Sequence, residues 1–429
     1  MSLLETLQKE SEQTLGEKAE VKNPIMEFDT FDENAIPDVV NSIFEKALSE
    51  HASDIHFKPK DEKYEVYFRV DGNMVEHKIF DKIYHHPIVA LIKILSGLKT
   101  DEHRLPQDGK STFTGENGKE VDLRVSMLPT QYGEKVVIRI LEKNPKMVTF
   151  WDLGMLPNII LKIERHLKAT YGMILSVGPT GSGKSTSLFS MISTFNAQEK
   201  NISTLEDPIE YKIKDVTQTQ INSSIGFDFS DGLRTIVRQD PDIIMVGEIR
   251  DQKTASLAIE SALTGHLVFS TLHTNSAVGT IQRLVDMGID KFLITAAIKL
   301  IISQRLVRKI CPDCREKYPV PERYYDLFEK NTNINPKDAY LYKANKNKAC
   351  KTCNNKGVSG RVGIFEVLEM SPTVEELIIG NASNKQIEEQ AMKEGMTLIK
   401  KDALYKAIMG EITLEEALRA GDIAIDEAL

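Results

Sequence analysis

The sequence predicts an α/β protein. Its centre is a P-loop domain on a doubly wound parallel sheet, with an N-terminal α+β domain before it and a tetracysteine zinc insertion and helical C-terminal region after it. Three observations carry that expectation. Apolar runs of strand length alternate with helical stretches between about residues 150 and 310, as a parallel sheet with crossover helices requires. A glycine-rich stretch, residues 178–185, sits between one such run and a helix. All four cysteines fall in two CxxC pairs beyond the alternating region.

Length and composition agree with this. The 429 residues allow more than one sizeable core. Against 54 Lys and Arg stand 63 Asp and Glu, a net charge of −9 that gives no long-range attraction for a polyanion, so no direct nucleic-acid partner is expected. Hydrophobic residues at 41% and charged residues at 27% suit an ordered globular chain. No run of 18 apolar residues occurs, and the start MSLLETLQKESEQ lacks the layout of a signal peptide. Four cysteines exclude a disulfide scaffold. The chain reads as cytoplasmic, with any membrane association peripheral.

In chain order, residues 1–29 are polar and read as a flexible tail. Residues 30–145 read as the α+β domain. Val39, Val40, Ile43, Ala47 and Leu48 share one helical face, Tyr64 to Gly72 alternates like a strand and closes on Asp-Gly, and two more strands flank TQYGE. Residues 150–310 form the P-loop domain, 311–360 the cysteine region, and 361–429 the helical end, where Thr413 and Glu416 suit a capping box.

Gly178-Pro179-Thr180-Gly181-Ser182-Gly183-Lys184-Ser185 fits G-x-x-x-x-G-K-[ST], with Thr186 continuing into the helix. The glycines let the backbone wrap phosphate oxygens, and the helix start adds donors and positive dipole. Lys184 is placed to reach the β and γ phosphates and the Ser185 hydroxyl to hold Mg²⁺. Glu248 follows the apolar run IIMV, where an acid can hold a metal-bound water or polarise the attacking one. Glu206 and Glu210 form a further acidic cluster that can share a metal or act as general base, the alternative being a solvated turn at Asp207-Pro208. His266 and His273 bracket a buried strand, a position more often structural than catalytic. Cys311, Cys314, Cys350 and Cys353 make two knuckles that complete a tetrahedral zinc site, the rival being redox use of a CxxC. Between the pairs, the segment shows little core of its own beyond Tyr324 to Phe328.

GPTGSGKST, TLEDPIE, RQDPDIIMVGEIRD and TGHLVFSTLHTN, in that order, resemble the Walker A, Asp, Walker B and His boxes of the secretion ATPase superfamily. ASDIHF, RLPQDGK, VDLRVSMLPTQYGEKVVIRIL, GRVGIFEVLEM and the paired cysteines narrow the resemblance to the type II secretion and type IV pilus assembly branch. It implies a RecA-like ATPase core using ATP, Mg²⁺ and Zn²⁺, in a homo-hexamer that docks on an inner-membrane platform protein and drives assembly of a pilus or pseudopilus. The same resemblance makes Glu206 and Glu210 the Asp-box acids, Glu248 the Walker B glutamate, and His266 and His273 the His-box residues. Arg124 and Arg139 become arginine fingers of the first domain, with Arg104 a weaker third. Family members with a longer N-terminal region bind a membrane recruiter protein, whereas about 30 residues precede the shared domain here.

Two other classes compete with this reading. A P-loop DNA translocase or helicase-like motor would need a basic channel and stacking aromatics. A non-hydrolysing scaffold would need a decayed site, against which stand Lys184, Ser185, Glu206, Glu248, Arg124 and Arg139.

Overall fold

The computed structural model describes residues 33–142, 148–345, 349–353 and 355–423; the expected tail lies outside them. Two compact units result, one reaching to Glu142 and one made of everything after it.

The first unit opens with the helix Ile36–Ser49, whose Val39, Val40, Ile43 and Ala47 are buried while Leu48 is half-buried. Strands Asp54–Pro59 (β1), Lys63–Val70 (β2), Asn73–Asp81 (β3), Gln107–Thr114 (β4), Glu120–Thr130 (β5) and Gly133–Glu142 (β6) form an antiparallel sheet in the order β3-β2-β1-β6-β5-β4. Asp71 and Gly72 join β2 to β3 with positive φ at both residues (48° and 84°), the backbone that a two-residue hairpin turn demands. The sheet packs one face against the helices Ile36–Ser49 and His85–Leu95, so its strands alternate between buried and wetter positions. Lys93, fully buried on the second helix, is neutralised by Glu134 at 2.8 Å, and Glu134 also meets His103 at 2.7 Å. Burial pushes the Glu134 carboxyl up, but hydrogen bonds from Lys93 and His103 outweigh it and leave it below the ordinary range.

The second unit is built on Gly172–Val177 (β7), Ile202–Glu206 (β8), Thr217–Gln220 (β9), Ile243–Val246 (β10), Leu267–Leu272 (β11) and Ile298–Ile310 (β12). A hairpin of Arg315–Pro319 (β13) and Tyr340–Ala344 (β14) stands apart, and Val358–Glu369 (β15) returns to the sheet. The order is β15-β12-β7-β11-β10-β8-β9, with every neighbour parallel except β12 and β15. Helices cover both faces. Met173, Leu175 and Val177 point into one core, and Ile174 points into the other. Burial on both sides is why these strands read as continuous apolar runs rather than alternating ones.

Hydrogen bonding from a helix protects the β15 edge of this sheet. Phe365 N–H donates to Asp402 Oδ2 at 2.7 Å, and Lys406 Nζ donates to Gly363 O at 2.7 Å. The two side chains, both fully buried, pair at 2.6 Å. Carboxylate and ammonium here stand in for a missing neighbouring strand.

The structure differs from the sequence reading in two places. Thr413 caps its helix by accepting from Glu416 N–H, but the Glu416 carboxylate turns away to bind Arg308 of β12 at 2.9 Å and Arg419 at 2.6 Å, so the reciprocal half of the box is absent. A nearby guanidinium offers a buried carboxylate more than a neutral N–H does. Between the cysteine pairs, Val320, Tyr324, Phe328 and Leu341 share a core with Val362, Ile364, Leu404 and Leu418, so that segment packs on the C-terminal helices rather than standing without a core.

Substituting Lys406→Met leaves Asp402 charged in a dry site and Gly363 O without its donor. Unfolding in denaturant is expected to show a loss of about 3–5 kcal/mol; an unchanged midpoint would mean that the pair does not hold the sheet edge.

Candidate active site

Because β7, β8, β10 and β11 run parallel, the loops after them gather at one edge of the sheet. The loop after β7 is the glycine-rich stretch. Gly178, Gly181 and Gly183 take φ of 147°, 78° and 87°, values that side-chain-bearing residues rarely adopt, and the helix Lys184–Ile192 starts directly after them. Lys184 is buried, and its Nζ donates to Gly178 O at 2.9 Å and Pro179 O at 3.1 Å. Burial lowers its pKa, while the negative charge of Glu248 works the other way. Ser185 is exposed on the first turn and Thr186 half-buried. Ser182 Oγ is buried with no hydrogen-bond partner, an orphaned donor inside a loop suited to anions.

Glu206 ends β8 and is buried. Burial raises its carboxyl above the usual range, although Thr204 Oγ1 (2.6 Å) and Gln218 Nε2 (2.9 Å) both donate to it. Glu248 lies two residues beyond β10, ion-paired to Arg250 and 3.6 Å from His273 Nε2. Glu206, Glu210, Glu248, His273 and the loop from Thr180 to Thr186 line one cleft of about 350 Å³. An amine, several carboxylates and backbone donors thus converge where a phosphate chain and an attacking water can be held.

His266 is not among the residues that line the cleft. It precedes β11, so the strand carries it to the opposite edge of the sheet, ~23 Å from His273 at about 3.3 Å per residue. There its Nδ1 lies 2.9 Å from Ser261 O, which fits a structural part. Arg124 and Arg139 face each other across β5 and β6 in the first unit, with Arg139 Nε 3.1 Å from Asp54. Arg104 is also in that unit, 91% exposed and 3.8 Å from Glu102.

Sequence reading missed Thr204, Gln218 and Arg250. Gln218 grips Glu206 and also donates to Tyr211 O at 2.8 Å, while its oxygen accepts from Ile213 N–H at 2.8 Å, which ties the acidic loop to β9. A polar run such as TQTQ carries no sign of a partner twelve residues away; only the pairing of β8 with β9 brings the two together.

The four cysteines form a second site. Their sulfurs lie within 4.8 Å of one another and all four are buried, with Cys311–Cys350 and Cys314–Cys353 each at 3.7 Å. A tetrahedron with metal–sulfur bonds of about 2.3 Å has edges of about 3.8 Å. Backbone N–H groups, first that of Cys353, lower the Cys350 thiol to about 7, whereas burial pushes Cys314 up to about 12. Gly357 N–H also points at Cys353 Sγ (3.3 Å), the arrangement that steadies a thiolate. The residues fit a soft divalent cation.

Comparison with known proteins places the chain. A family model described as type II/IV secretion system protein matches residues 29–419. The chain is 40% identical over 387 residues to the type IV pilus assembly ATPase PilB of Myxococcus xanthus, covering 90% of this chain and 68% of that one. It is 41% identical over 388 residues to the type II secretion system ATPase E of Vibrio cholerae, covering 90% and 76%. Among solved structures, the pilus retraction motor PilT with bound ADP is similar at a TM-score of 0.60 and 26% identity, covering 90% of this chain and 98% of the other. None of these relatives is named for work on nucleic acid, and the translocase alternative finds no support. The chain belongs to the type II/IV secretion system protein family.

Proposed function

We propose that this chain is an ATP-hydrolysing motor that powers assembly of a type IV pilus or a type II secretion pseudopilus. The observation that carries the reading is the convergence of Lys184, Glu206, Glu248 and the glycine-rich loop in one cleft at the carboxyl edge of the parallel sheet. Family membership and relatives named as pilus and secretion ATPases support it.

In this reading the loop N–H groups of residues 180–186 bind the β and γ phosphates, and Lys184 leaves its own loop carbonyls to meet them. A triphosphate beside Glu206, Glu210 and Glu248 needs more positive charge than one lysine supplies. Mg²⁺, which the Ser185 hydroxyl would hold, would supply it by neutralising phosphate oxygens. Glu248 polarises the attacking water, with His273 and Arg250 holding its carboxylate, and Glu206 and Glu210 line the same cleft. Residues 150–310 thus carry the chemistry, and residues 30–145 carry Arg124 and Arg139, whose guanidiniums neutralise charge on the transferring phosphoryl group. The cysteine knuckles at 311–360 hold zinc in a structural role, since four thiolates leave no open position. The motor acts as a homo-hexamer on an inner-membrane platform protein, from the cytoplasmic face. Among the described residues no helix is long and apolar enough to cross a membrane.

Lys184→Ala is expected to abolish Mg²⁺-dependent phosphate release, because the γ-phosphate loses its side-chain cation; full turnover in that variant would sink the motor reading. Glu248→Gln is expected to bind ATP and turn it over at least 100-fold slower, on the order of the loss of a catalytic base. If it cycles normally while Glu206→Gln stops, the base is Glu206.

For Arg124→Ala and Arg139→Ala the informative split is kcat against nucleotide affinity. A contact made only in the transition state lowers kcat and leaves affinity near wild type. Unchanged kcat in both variants would reduce them to strand arginines.

Metal analysis of freshly purified, reduced protein is expected to find about one zinc per chain. Cys350→Ser should lose it, keep ATP binding and expose the knuckles to protease; absence of zinc in the wild type, or a disulfide within a pair, would end the assignment.

A further inference from the structure

Strand β12 passes beside the phosphate loop where that loop leaves the sheet. Its pairing with β7 ends at Ser303 opposite Val177, and the next residue, Gln304, is 2% exposed. The Gln304 carboxamide bridges strand and loop. Its Nε2 donates to Ser182 O at 2.6 Å, and its Oε1 accepts from Ser176 Oγ at 3.2 Å. Chemistry sets that orientation, since a backbone carbonyl only accepts and the amide nitrogen must therefore face it. The main chains are close as well. A Cβ on Gly178 would come within 2.4 Å of Gln304 O, and one on Gly183 within 3.1 Å of Gln304 Nε2. Two of the loop's glycines are thus required where Gln304 presses on it.

An anion cradle made of N–H groups works only if the carbonyls of the same peptides turn away from the anion. A carbonyl turned into the protein needs a donor there. The peptide joining Ser182 to Gly183 is planar, so holding Ser182 O against β12 aims the Gly183 N–H the opposite way. Gly183 also lines the cleft. We infer that Gln304 is a positioning residue for nucleotide binding, its carboxamide locking the 182–183 peptide with the Gly183 N–H turned to the phosphates. This rests on the nucleotide reading of the cleft and adds to it a residue more than a hundred positions from the loop.

The test uses the full chain with ATP and ADP as probes. Gln304→Leu keeps the bulk and removes both hydrogen bonds. The expected result is a rise of about tenfold in the Kd of both nucleotides, the scale of one misaimed charge-assisted contact, since ATP and ADP share the phosphate at the loop. KM should rise with it while kcat at saturation stays within about threefold, the mark of binding lost equally from ground and transition states. Ser176→Ala, which only frees the carboxamide to rotate, should show a smaller loss in the same direction and serves as the probe should Gln304→Leu fail to fold. The double variant should bind no worse than Gln304→Leu, because Ser176 acts through Gln304. A lowered melting temperature with both Kd values unchanged, or additive losses in the double variant, would overturn the proposal. Lys184→Ala separates the two levels. If that variant loses nucleotide and the Gln304 variants keep it, only this inference falls; if Lys184→Ala binds as wild type, the nucleotide reading falls first.

Discussion

Parallel pairing of β7, β8, β10 and β11 is the constraint on which the rest of the second unit depends. Parallel neighbours must be joined by crossovers, and those crossovers supply the helices that bury both faces. The same pairing collects four strand ends at one edge, so the glycine-rich loop, Glu206, Glu248 and His273 meet without being near one another in sequence. An antiparallel sheet of the same strands would send alternate loops to opposite edges. The polarity that assembles the cleft also removes His266 from it, since that residue enters β11 where His273 leaves.

Charge inside the fold is handled by local pairing, with different consequences in different places. Lys93 with Glu134 and Lys406 with Asp402 are buried pairs that also bond elsewhere, the first to Glu102 O and the His103 side chain and the second to Gly363 O and Phe365 N–H, so they tie a loop or a strand edge to a helix. Such pairs contribute little net stability over an apolar substitute, but losing one partner is costly. They specify which surfaces dock. Lys184 is different. Its partners are the carbonyls of its own loop, and burial already weakens its hold on the proton. That ammonium is held where an anion can draw it out. Glu206, raised by burial and still accepting two hydrogen bonds, is likewise a carboxyl whose charge the fold leaves poorly compensated. Lys184 and Glu206, in both of which burial disfavours the charged form, thus meet in the same cleft.

Strand β12 connects several parts of this second unit. Gln304 reaches the phosphate loop, Arg305 lies 3.3 Å from Asp422, Arg308 binds Glu416, and the chain enters the first cysteine knuckle directly after Ile310. The antiparallel partner β15 then carries Gly363 and Phe365 to the Lys406–Asp402 pair. The C-terminal helices are therefore packed and ion-paired onto the strand that flanks the nucleotide loop, and the hairpin between the knuckles shares their core.

The sequence by itself determined what is local or periodic. Continuous apolar runs announced doubly covered strands, G-x-x-x-x-G-K-[ST] announced an anion loop, and paired CxxC knuckles announced a four-sulfur site, because each depends on spacing within a few residues. The helix Ile36–Ser49 and the Asp71-Gly72 turn were legible for the same reason. Tertiary structure alone decided what depends on partners distant in the chain. Glu416 looked like the reciprocal half of a capping box until Arg308 came beside it, and only the parallel strand order showed which of His266 and His273, at opposite ends of one strand, lies at the cleft. Gln218 and Gln304 carry no pattern at all, since an amide reveals its task only through the groups it meets. A hydrogen bond costs a sequence one residue at each end and leaves no periodicity between them, so strand order, not composition, had to reveal it.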